Sequence, residues 1–281
     1  MEHELPSFDL VLATVDRVEE PRRLLDSLGA QSHRPFRVLL VDQNDDARLD
    51  PVVAEQQLEL VHLRSPRGLS RARNRALDEI RGHLVAFPDD DCVYAPDLLE
   101  RVARRFLEEP ALDGLTGRAV GSDGASSPSW NRDAATLTDT NLWNRGISYT
   151  IFLRRGVVER VGQFDERLGL GSGRPWSSGE EIDYLVRAVR AGARIEYDPA
   201  LTVMHERDVL SPAALRAVAY RDGASLGYIL RKHRYPKREV ARRFLRPLGG
   251  VLVSLVKRDV EDARVHVATF AGRIRGYERS V

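Results

Sequence analysis

Short apolar segments alternate with segments of helical periodicity in the first third of the chain, and this alternation limits the fold more than any other feature. The apolar segments span residues 8–14, 36–41, 58–63 and 84–87. Between the first two, Leu24, Leu25 and Leu28 lie on one helical face behind Pro21. Strands joined in this order by crossover helices form a parallel sheet. The sequence therefore predicts an α/β fold with a Rossmann-like, doubly wound, mostly parallel sheet.

Three consecutive carboxylates, Asp89, Asp90 and Asp91, follow the fourth apolar segment. Pro88 ends the strand before them because proline has no N–H to donate. Neighbouring carboxylates repel one another by about 1 kcal/mol per pair even in water, so a cation usually compensates them. Ligands of open α/β sheets bind outside the carboxyl ends of the strands, so we predict a divalent-cation site here. The alternative is a solvated turn that caps the next helix, although Asp97 already fits that cap.

Polar side chains also close the first two strands. Thr14 and Asp16 follow the first strand, and Asp42 and Gln43 follow the second. The carboxyl ends of neighbouring parallel strands meet at one edge of a sheet, so these groups should lie beside the three acids. We expect a nucleotide to be held at this edge.

The helix predicted after the third strand begins GLSRARN, which places a hydroxyl and several guanidinium groups near a helix N-terminus. Such a combination attracts phosphate oxygens. Arg71, Arg73 and Arg75 cannot all face one ligand, because residues two apart lie on different helix faces. We therefore expect only one of them to reach the site, with a solvated helix as the alternative.

A second acidic cluster, Glu180, Glu181 and Asp183, begins a later helix. Acids in a first turn suit the helix dipole, and this structural explanation stays open. The preceding loop, GLGSGRPWSSG, is rich in glycine and carries Trp176, whose ring we expect to be exposed and to stack on a carbohydrate. A carboxylate beside such a ring is a candidate general base.

His205 ends the last predicted strand. A lone histidine is more often structural than a ligand. In a chain that already offers three acids it can complete a metal site, because imidazole binds transition metals such as Mn²⁺.

The cysteine content and the N-terminus indicate a compartment. The single cysteine, Cys92, excludes an internal disulfide framework and fits a reducing environment. The N-terminus lacks the basic and apolar regions of a signal peptide, and no run approaches the roughly 18 apolar residues that span a bilayer. We predict a cytoplasmic protein.

Charge is distributed unevenly. The net charge is +1, but residues 211–281 hold 16 Lys and Arg against 6 Asp and Glu. We predict a basic helical extension that covers the flank of the core or forms a homodimer. The functional alternative is peripheral contact with an anionic membrane, where each Lys or Arg contributes about 1 kcal/mol. Nucleic acid is not an expected partner, because aromatic residues are not interleaved with the charges.

Over roughly residues 8–207 the chain resembles the family 2 glycosyltransferases of the GT-A fold. The resemblance rests on six segments in the family's order and a late histidine, and that order makes chance similarity improbable. The segments are FDLVLATVDR, VLLVDQND, GLSRARN, AFPDDDC, VGQFDE and GEEIDYLVRAVRAG.

The resemblance implies transfer of a sugar from a nucleoside diphosphate donor, UDP by default, to an acceptor hydroxyl with inversion at the anomeric carbon. It also implies Mn²⁺ or Mg²⁺ bound by the DXD motif. By position, Asp91 and His205 would bind the metal, and Asp89 or Asp90 would contact the ribose or the metal. Glu181 stands where the family usually has an Asp base, and this departure leaves Glu180 as a fallback.

The remaining positions follow from the same resemblance. Acceptors of such enzymes are often lipid-linked, which favours cell-surface polysaccharide or glycolipid synthesis at the inner face of the cell membrane. We expect a catalytic domain at residues 1–210, with a donor-binding half at 1–120 and an acceptor-binding half at 121–210, and then the extension at 211–281. Thr14, Asp16, Asp42, Gln43 and Arg73 are assigned to the nucleotide, and Trp176 and Asp183 to the acceptor.

Two other functions remain open at this point. The Glu-Glu departure is compatible with a catalytically silent module that binds a nucleotide or a sugar. A sugar-nucleotide nucleotidyltransferase would carry a glycine-rich loop after the first strand, and TVDRVEE has no glycine.

Overall fold

The computed structural model describes residues 4–126, 130–206 and 210–278. The predicted alternation of strand and helix is confirmed, and all neighbouring strands in the order β3-β2-β1-β4 are parallel. The elements are β1 (Phe8–Thr14), α1 (Glu19–Gly29), β2 (Phe36–Asp42), α2 (Asp50–Glu55), β3 (Leu60–Arg64), α3 (Leu69–Leu77) and β4 (Leu84–Ala86).

The sheet continues beyond β4 with mixed pairing. Its order is β4-β8-β6-β9-β5, in which β8 is antiparallel to β4 and β6, and β5 is antiparallel to β9. A two-residue strand, β7, also pairs with β9. These elements are β5 (Cys92–Val93), α4 (Leu98–Glu108), β6 (Gly114–Val120), β7 (Ala135–Thr136), β8 (Ile151–Arg154), α5 (Arg155–Val161), α6 (Glu180–Arg190) and β9 (Ile195–His205).

Two local expectations were wrong. We expected a strand from residue 148 to residue 153, but Ser148–Thr150 form a 3₁₀ turn before β8. The reason is the side-chain hydroxyl of Thr150, which donates to the carbonyl of Ile147 and so favours a turn. The N-cap of α4 is Asp97, but its side chain makes no capping hydrogen bond.

Most of the apolar core lies around the parallel strands. Every residue of β1 is buried, and Leu24, Leu25 and Leu28 of α1 pack into the same cluster. A charged residue is also enclosed: Asp9 is fully buried and is bound by the guanidinium of Arg37, with a nitrogen to oxygen distance of 2.8 Å. Backbone N–H groups of Arg81 and Gly82 also donate to it. This buried pair ties β1 to β2 and to the entry of β4.

The chain divides into two compact units. The sheet unit contains Met1–Phe164 and Glu181–Arg207, and the helical unit contains Asp165–Glu180 and Asp208–Val281. The helical unit contains α7 (Pro212–Lys232), α8 (Lys237–Val256) and α9 (Val260–Glu278). The C-terminal part of the chain is thus helical, as predicted. Residues 165–180, which we had placed in the acceptor-binding half, cluster with these helices instead. In the described ranges, no helix combines the length and the apolar character needed to cross a bilayer.

Asp165 anchors that segment inside the helical unit. Its carboxylate accepts hydrogen bonds from Tyr228 Oη at 2.7 Å and Lys232 Nζ at 2.9 Å, and it also binds Arg167. Burial on its own would raise the pKa of Asp165, but these hydrogen bonds outweigh burial and hold the pKa well below its ordinary value.

A depressed carboxyl pKa makes the stability contribution of Asp165 depend on pH in one direction. The contribution is present above the unfolded-state pKa of about 4 and is lost as the pH falls through the lower folded-state pKa. We expect Asp165→Asn to lower the free energy of unfolding by about 1–3 kcal/mol at pH 7. Chemical denaturation at a series of pH values should show this difference shrinking below about pH 4. A difference that stays constant down to pH 3 would contradict the role of the carboxylate charge.

Glycines let α7 and α9 approach each other closely. A Cβ on Gly223 or Gly227 would meet backbone atoms of Thr269 or Arg273, and one on Gly276 would meet backbone atoms of Ala224. The same is true of Gly272 against Tyr220. Small residues spaced by four on both helices thus allow the two backbones to touch.

We expect Gly276→Ala to lower the free energy of unfolding by about 1–3 kcal/mol, because backbone cannot move aside as a flexible side chain can. The matched control is Gly249→Ala on α8, where a new Cβ meets nothing within 4 Å. That change should be neutral or stabilising by up to about 1 kcal/mol, since alanine is the better helix former. Equal effects of the two substitutions in urea denaturation would show that the close approach is not a real constraint.

Candidate functional site

Strand register brings the first two polar ends together. Thr14 pairs with Asp42 across β1 and β2, and Ala13 bridges to Asp89 across the other side of β1. Thr14 Oγ1 consequently donates to Asp90 Oδ2 at 2.6 Å. The edge predicted from the carboxyl ends of the strands is therefore formed, with the three acids beside β1.

Arg17, in the loop after β1, bridges two of the acids. Its guanidinium lies 2.6 Å from Asp90 Oδ1 and 2.5 Å from Asp91 Oδ2. Burial raises the pKa of Asp90, whereas the hydrogen bonds from Thr14 and Arg17 act against that rise. The sequence pointed to a metal ion as the compensating cation, and it missed this arginine.

His205 lies beside the third acid because β9 runs antiparallel to β5. Cys92 pairs with His205 in that register, and His205 Nε2 lies 3.0 Å from Asp91 Oδ1. The hydrogen bond to Asp91 raises the pKa of His205. Burial opposes ionisation of Asp91, but His205 and Arg17 outweigh it and lower the pKa of Asp91 to about 2. The ring of Tyr149 stacks on the imidazole, with centroids 4.9 Å apart.

Asp89 faces a different set of partners. Ser148 Oγ donates to it at 2.9 Å, and the guanidinium of Arg73 lies 3.0 Å from Asp89 Oδ1. Arg73 is almost fully buried between the rings of Phe87 and Phe164. Arg71 and Arg75 are exposed, so Arg73 is the arginine of α3 that lies against the acids, and its assignment to the nucleotide stays a prediction.

A small pocket continues from this arginine to the start of α6. Glu181 lines it together with residues that hold Asp89 and with aromatic side chains. Phe164 is fixed there by Asn74 of α3, whose side chain exchanges two hydrogen bonds with the Phe164 backbone at 2.7 and 3.1 Å. The lining residues are Arg73, Phe87, Ser148, Ile151, Phe164, Glu181 and Tyr184.

Asp16 occupies the exposed end of the nucleotide edge. Its backbone adopts φ of +61°, a left-handed conformation that is uncommon for residues other than glycine. The side chain of Asn44 accepts the backbone N–H of Asp16 at 2.7 Å and holds this turn. Arg67 binds both carboxylate oxygens of Asp16, and both side chains are more than half exposed. Asp16, which we predicted to contact the nucleotide, therefore lies at the surface in an ion pair with Arg67.

Two other nucleotide assignments do not fit the structure. Asp42 is fully buried and accepts hydrogen bonds from Asn44 and His62, and an ion pair joins it to Arg64. Gln43 is also buried, and its amide bonds to the Gly68 N–H and the Thr14 carbonyl. These side chains hold the loops of the edge in place, so we correct their assignment from binding residues to positioning residues.

The acceptor assignments also change. The exposed ring expected for Trp176 was wrong: the side chain is 7% exposed and stacks on Tyr228 at 5.2 Å. Both rings belong to the helical unit, where they pack the glycine-rich loop against α7. Asp183 is fully buried and pairs with Arg187 at 3.0 Å, one helical turn further on. Of the two candidate bases, Glu180 is 5% exposed, whereas Glu181 is partly exposed and lines the pocket.

The side chains at this edge can supply only some of the ligands of a divalent ion. They fit an ion whose other positions are filled by a bound nucleotide better than an ion held by protein side chains alone. Across the described residues, no three His, Cys, Asp or Glu side chains form a metal cluster. Mg²⁺ and related ions in nucleotide complexes take one or two protein carboxylates and fill the remaining positions with phosphate oxygens and water. Asp91 and His205 provide one carboxylate and one imidazole side by side. Asp91 also binds Arg17, and Asp89 binds Arg73 and Ser148.

The sequence matches the family model for glycosyl transferase family 2 over residues 10–164, more than half of the chain. The chain belongs to this family. The matched region contains the three acids, Arg17, Arg73 and Ser148, so the family resemblance stated from six short segments is confirmed. It ends at Phe164, before the candidate base.

Curated relatives of the chain are also glycosyltransferases or biosynthetic proteins. The succinoglycan biosynthesis protein ExoM of Rhizobium meliloti is 26% identical over 82% of this chain and 77% of its own length. The pre-mycofactocin glycosyltransferase of Mycobacterium tuberculosis is 29% identical over 66% of this chain. The present chain spans only 39% of that second relative.

Solved structures confirm the GT-A fold. The mannosyltransferase PcManGT from Pyrobaculum calidifontis, in complex with GDP-Man and Mn²⁺, has a TM-score of 0.67, 15% identity and coverage of 97% of this chain and 87% of its own. Residues 1–349 of S. aureus TarS, in complex with UDP-GlcNAc, give a TM-score of 0.63, 20% identity and coverage of 93% and 91%. At these identities the likeness shows the fold.

Sequence reasoning missed several residues of the site because they carry no motif. Arg17 had one available signal, a lone cation in the loop that follows β1. Ser148 and Tyr149 had none, since they come from a turn that we had assigned to a strand. The contacts of Asn74 and Arg67 could not be identified from the sequence, because their partners, Phe164 and Asp16, lie far away in the chain.

Proposed function

We propose that this family 2 glycosyltransferase transfers a sugar from a nucleoside-diphosphate-sugar to an acceptor hydroxyl, with inversion at the anomeric carbon. The observation that carries the proposal is the position of Glu181. It lines one pocket with Arg73 and Ser148, and both of these bind Asp89 of the acidic triplet. A carboxylate close to the residues that hold the acidic edge suits a single in-line displacement.

In the proposed reaction, Glu181 removes the proton of the acceptor hydroxyl as its oxygen attacks the anomeric carbon. The bond from that carbon to the diphosphate oxygen breaks, and the nucleoside diphosphate leaves from the opposite face. Arg17 is partly exposed beside the acids and is positioned to offset the negative charge that develops on the leaving group. Arg73 is buried and positions Asp89. Tyr149 holds the imidazole of His205 by stacking.

We assign Asp91 and His205 to a Mn²⁺ or Mg²⁺ ion. When bound, such an ion neutralises phosphate charge and orients the leaving group. The Mn²⁺ named with the mannosyltransferase from Pyrobaculum calidifontis supports this choice. Arg17 binds Asp91 in the present structure, so this carboxylate would hold a metal ion only in exchange for part of its contact with the guanidinium.

We favour UDP as the nucleotide, which is supported by the UDP-GlcNAc complex of TarS. GDP is the next choice, since the mannosyltransferase complex contains GDP-Man. For the acceptor we propose a saccharide or lipid-linked molecule of polysaccharide or glycolipid synthesis. The names of the succinoglycan protein and of a PGL/p-HBAD biosynthesis glycosyltransferase of Mycobacterium bovis support that class.

A donor-hydrolysis screen tests the proposed function. The full chain is incubated with UDP-, GDP- and dTDP-sugars, with Mn²⁺ or with a chelator, and released nucleoside diphosphate is measured. We expect release from one nucleotide class, dependent on the metal, with water as a slow substitute for the acceptor. Metal-dependent binding without any release, in the presence of saccharide and lipid-linked acceptors, would identify a silent binding module instead.

A further inference from the structure

The exposed side of α8 changes character along the helix. Its first half presents the exposed cations Lys237, Arg238, Arg242 and Arg246. Its second half presents large apolar side chains, of which Leu252 is 67% exposed and Val256 is 85% exposed. Residues four apart lie on one helix face, so these two form a continuous apolar surface. We call this surface the apolar tip; it consists of Leu252, Val253, Leu255, Val256 and Val260 at the turn into α9.

Unneutralised positive charge borders the apolar tip. Lys257 and Arg258 follow it directly, both are exposed, and neither forms an ion pair within the described part of the chain. Three acids share this turn. Asp259 follows Arg258 and accepts the backbone N–H of Asp262, Glu261 binds Arg216 and Arg264, and Asp262 accepts a hydrogen bond from Ser254. Across residues 211–281, however, 16 Lys and Arg outnumber 6 Asp and Glu, so the helical segment that carries the tip is cationic.

An apolar groove adjoins the tip inside the helical unit. Arg216 and Arg264 lie at this groove, beside apolar side chains from α8 and α9. Both guanidinium groups bind Glu261, and the aliphatic lining beside them is continuous with the apolar tip. The apolar lining consists of Val251, Leu255, Val260, Ala263, Val267 and Ala268.

We propose that the apolar tip, with Lys257 and Arg258, docks on an anionic lipid surface. Charge complementarity decides between this occupant and a second copy of the chain. A second copy would bring together two helical segments that each carry a large net positive charge, and these charges repel. Anionic headgroups attract the cations while the acyl boundary accepts the aliphatic side chains, and these two contributions together give stable interfacial binding. The tip lies in the interface and does not span the bilayer, in keeping with the helices described above.

Vesicle flotation of the full chain tests the proposal. Vesicles contain phosphatidylcholine alone or phosphatidylcholine with phosphatidylglycerol. One double variant removes the charge, Lys257→Ala with Arg258→Ala, and another removes the apolar surface, Leu252→Ser with Val256→Ser. The matched control is Leu107→Ser, which alters a large apolar side chain that is 38% exposed on α4 of the sheet unit.

The wild-type chain should float with the anionic vesicles and not with the neutral ones. The charge variant should partition about thirtyfold less, since each cation contributes about fivefold. The apolar variant should partition at least about tenfold less, and Leu107→Ser should match the wild type. Raising the salt concentration should weaken the wild-type interaction through screening.

Each variant should keep its helical circular dichroism and its thermal stabilisation by UDP with Mn²⁺. These readouts separate loss of docking from misfolding, and they test nucleotide binding independently of the membrane. Equal flotation with neutral and anionic vesicles would overturn the proposal, as would anionic flotation that neither double variant reduces. A wild-type dimer that the apolar variant converts to monomer, without vesicle binding, would also overturn it by assigning the tip to a second copy.

Discussion

Glu181→Gln should lower the rate of metal-dependent donor hydrolysis by about 10²-fold or more while leaving the affinity for UDP unchanged. The amide keeps the size and the hydrogen-bonding capacity of the side chain but cannot accept the acceptor's proton, and general base catalysis is typically worth 10²–10⁴-fold. The side chain lines a small cavity with Arg73 and Ser148, which hold Asp89, so it lies close to the edge that we propose binds the donor. Steady-state release of nucleoside diphosphate and isothermal titration with UDP measure the two quantities separately.

Glu180→Gln is the matched control, since it changes the same side chain one position earlier. Glu180 is 5% exposed and belongs to the helical unit. We expect its substitution to change the rate by less than about threefold, although it can lower stability because a buried polar group is altered. If Glu180→Gln abolished hydrolysis while Glu181→Gln stayed near the wild-type rate, the base would be the first glutamate of α6.

Asp91→Asn should weaken UDP binding in the presence of Mn²⁺ by at least about tenfold and slow donor hydrolysis by about 10²–10³-fold. The carboxylate has a pKa of about 2, held there against burial by hydrogen bonds from His205 and Arg17, so it is fully ionised at neutral pH. The amide removes that negative charge and leaves His205 as the remaining proposed metal ligand. Titration of Mn²⁺ followed by electron paramagnetic resonance measures the loss directly.

Asp26→Asn on the exposed side of α1 is the control for charge alone. It raises the net charge by one, as Asp91→Asn does, and should leave Mn²⁺ and UDP affinity unchanged. If Asp91→Asn bound Mn²⁺ and UDP as tightly as the wild type, the metal would have to be held by other residues.

Much of the fold could be predicted because it depends on local patterns. Apolar strands, a proline at the start of α1 and polar residues at strand ends each report their structure within a few positions, and the parallel half of the sheet follows from them. The antiparallel insertion of β8 between β4 and β6 could not be predicted. Strand order in that half depends on pairing between segments far apart in the sequence, which the periodicity of a single strand does not encode.

Only part of the candidate site could be predicted from the sequence. The residues whose environment could not be predicted are the buried ones. Asp16 is exposed and Asp91 is partly exposed, so residue type alone can predict a ligand-binding role for them. Asp42, Asp183 and Trp176 looked similar in sequence but are enclosed by Arg64, Arg187 and Tyr228, which lie on other turns or elements. A buried polar group is satisfied by whatever partner the tertiary structure supplies, and residue type alone does not name that partner.

Isothermal titration of UDP into the wild-type chain, with and without Mn²⁺, tests the central claim most directly. The claim is that the acids at the end of β4 bind a nucleoside diphosphate through a divalent cation. We predict that Mn²⁺ tightens UDP binding at least about tenfold and that Asp91→Asn abolishes this gain while leaving metal-free binding unchanged. UDP affinity that is the same with Mn²⁺ and with a chelator, in both proteins, would contradict the account.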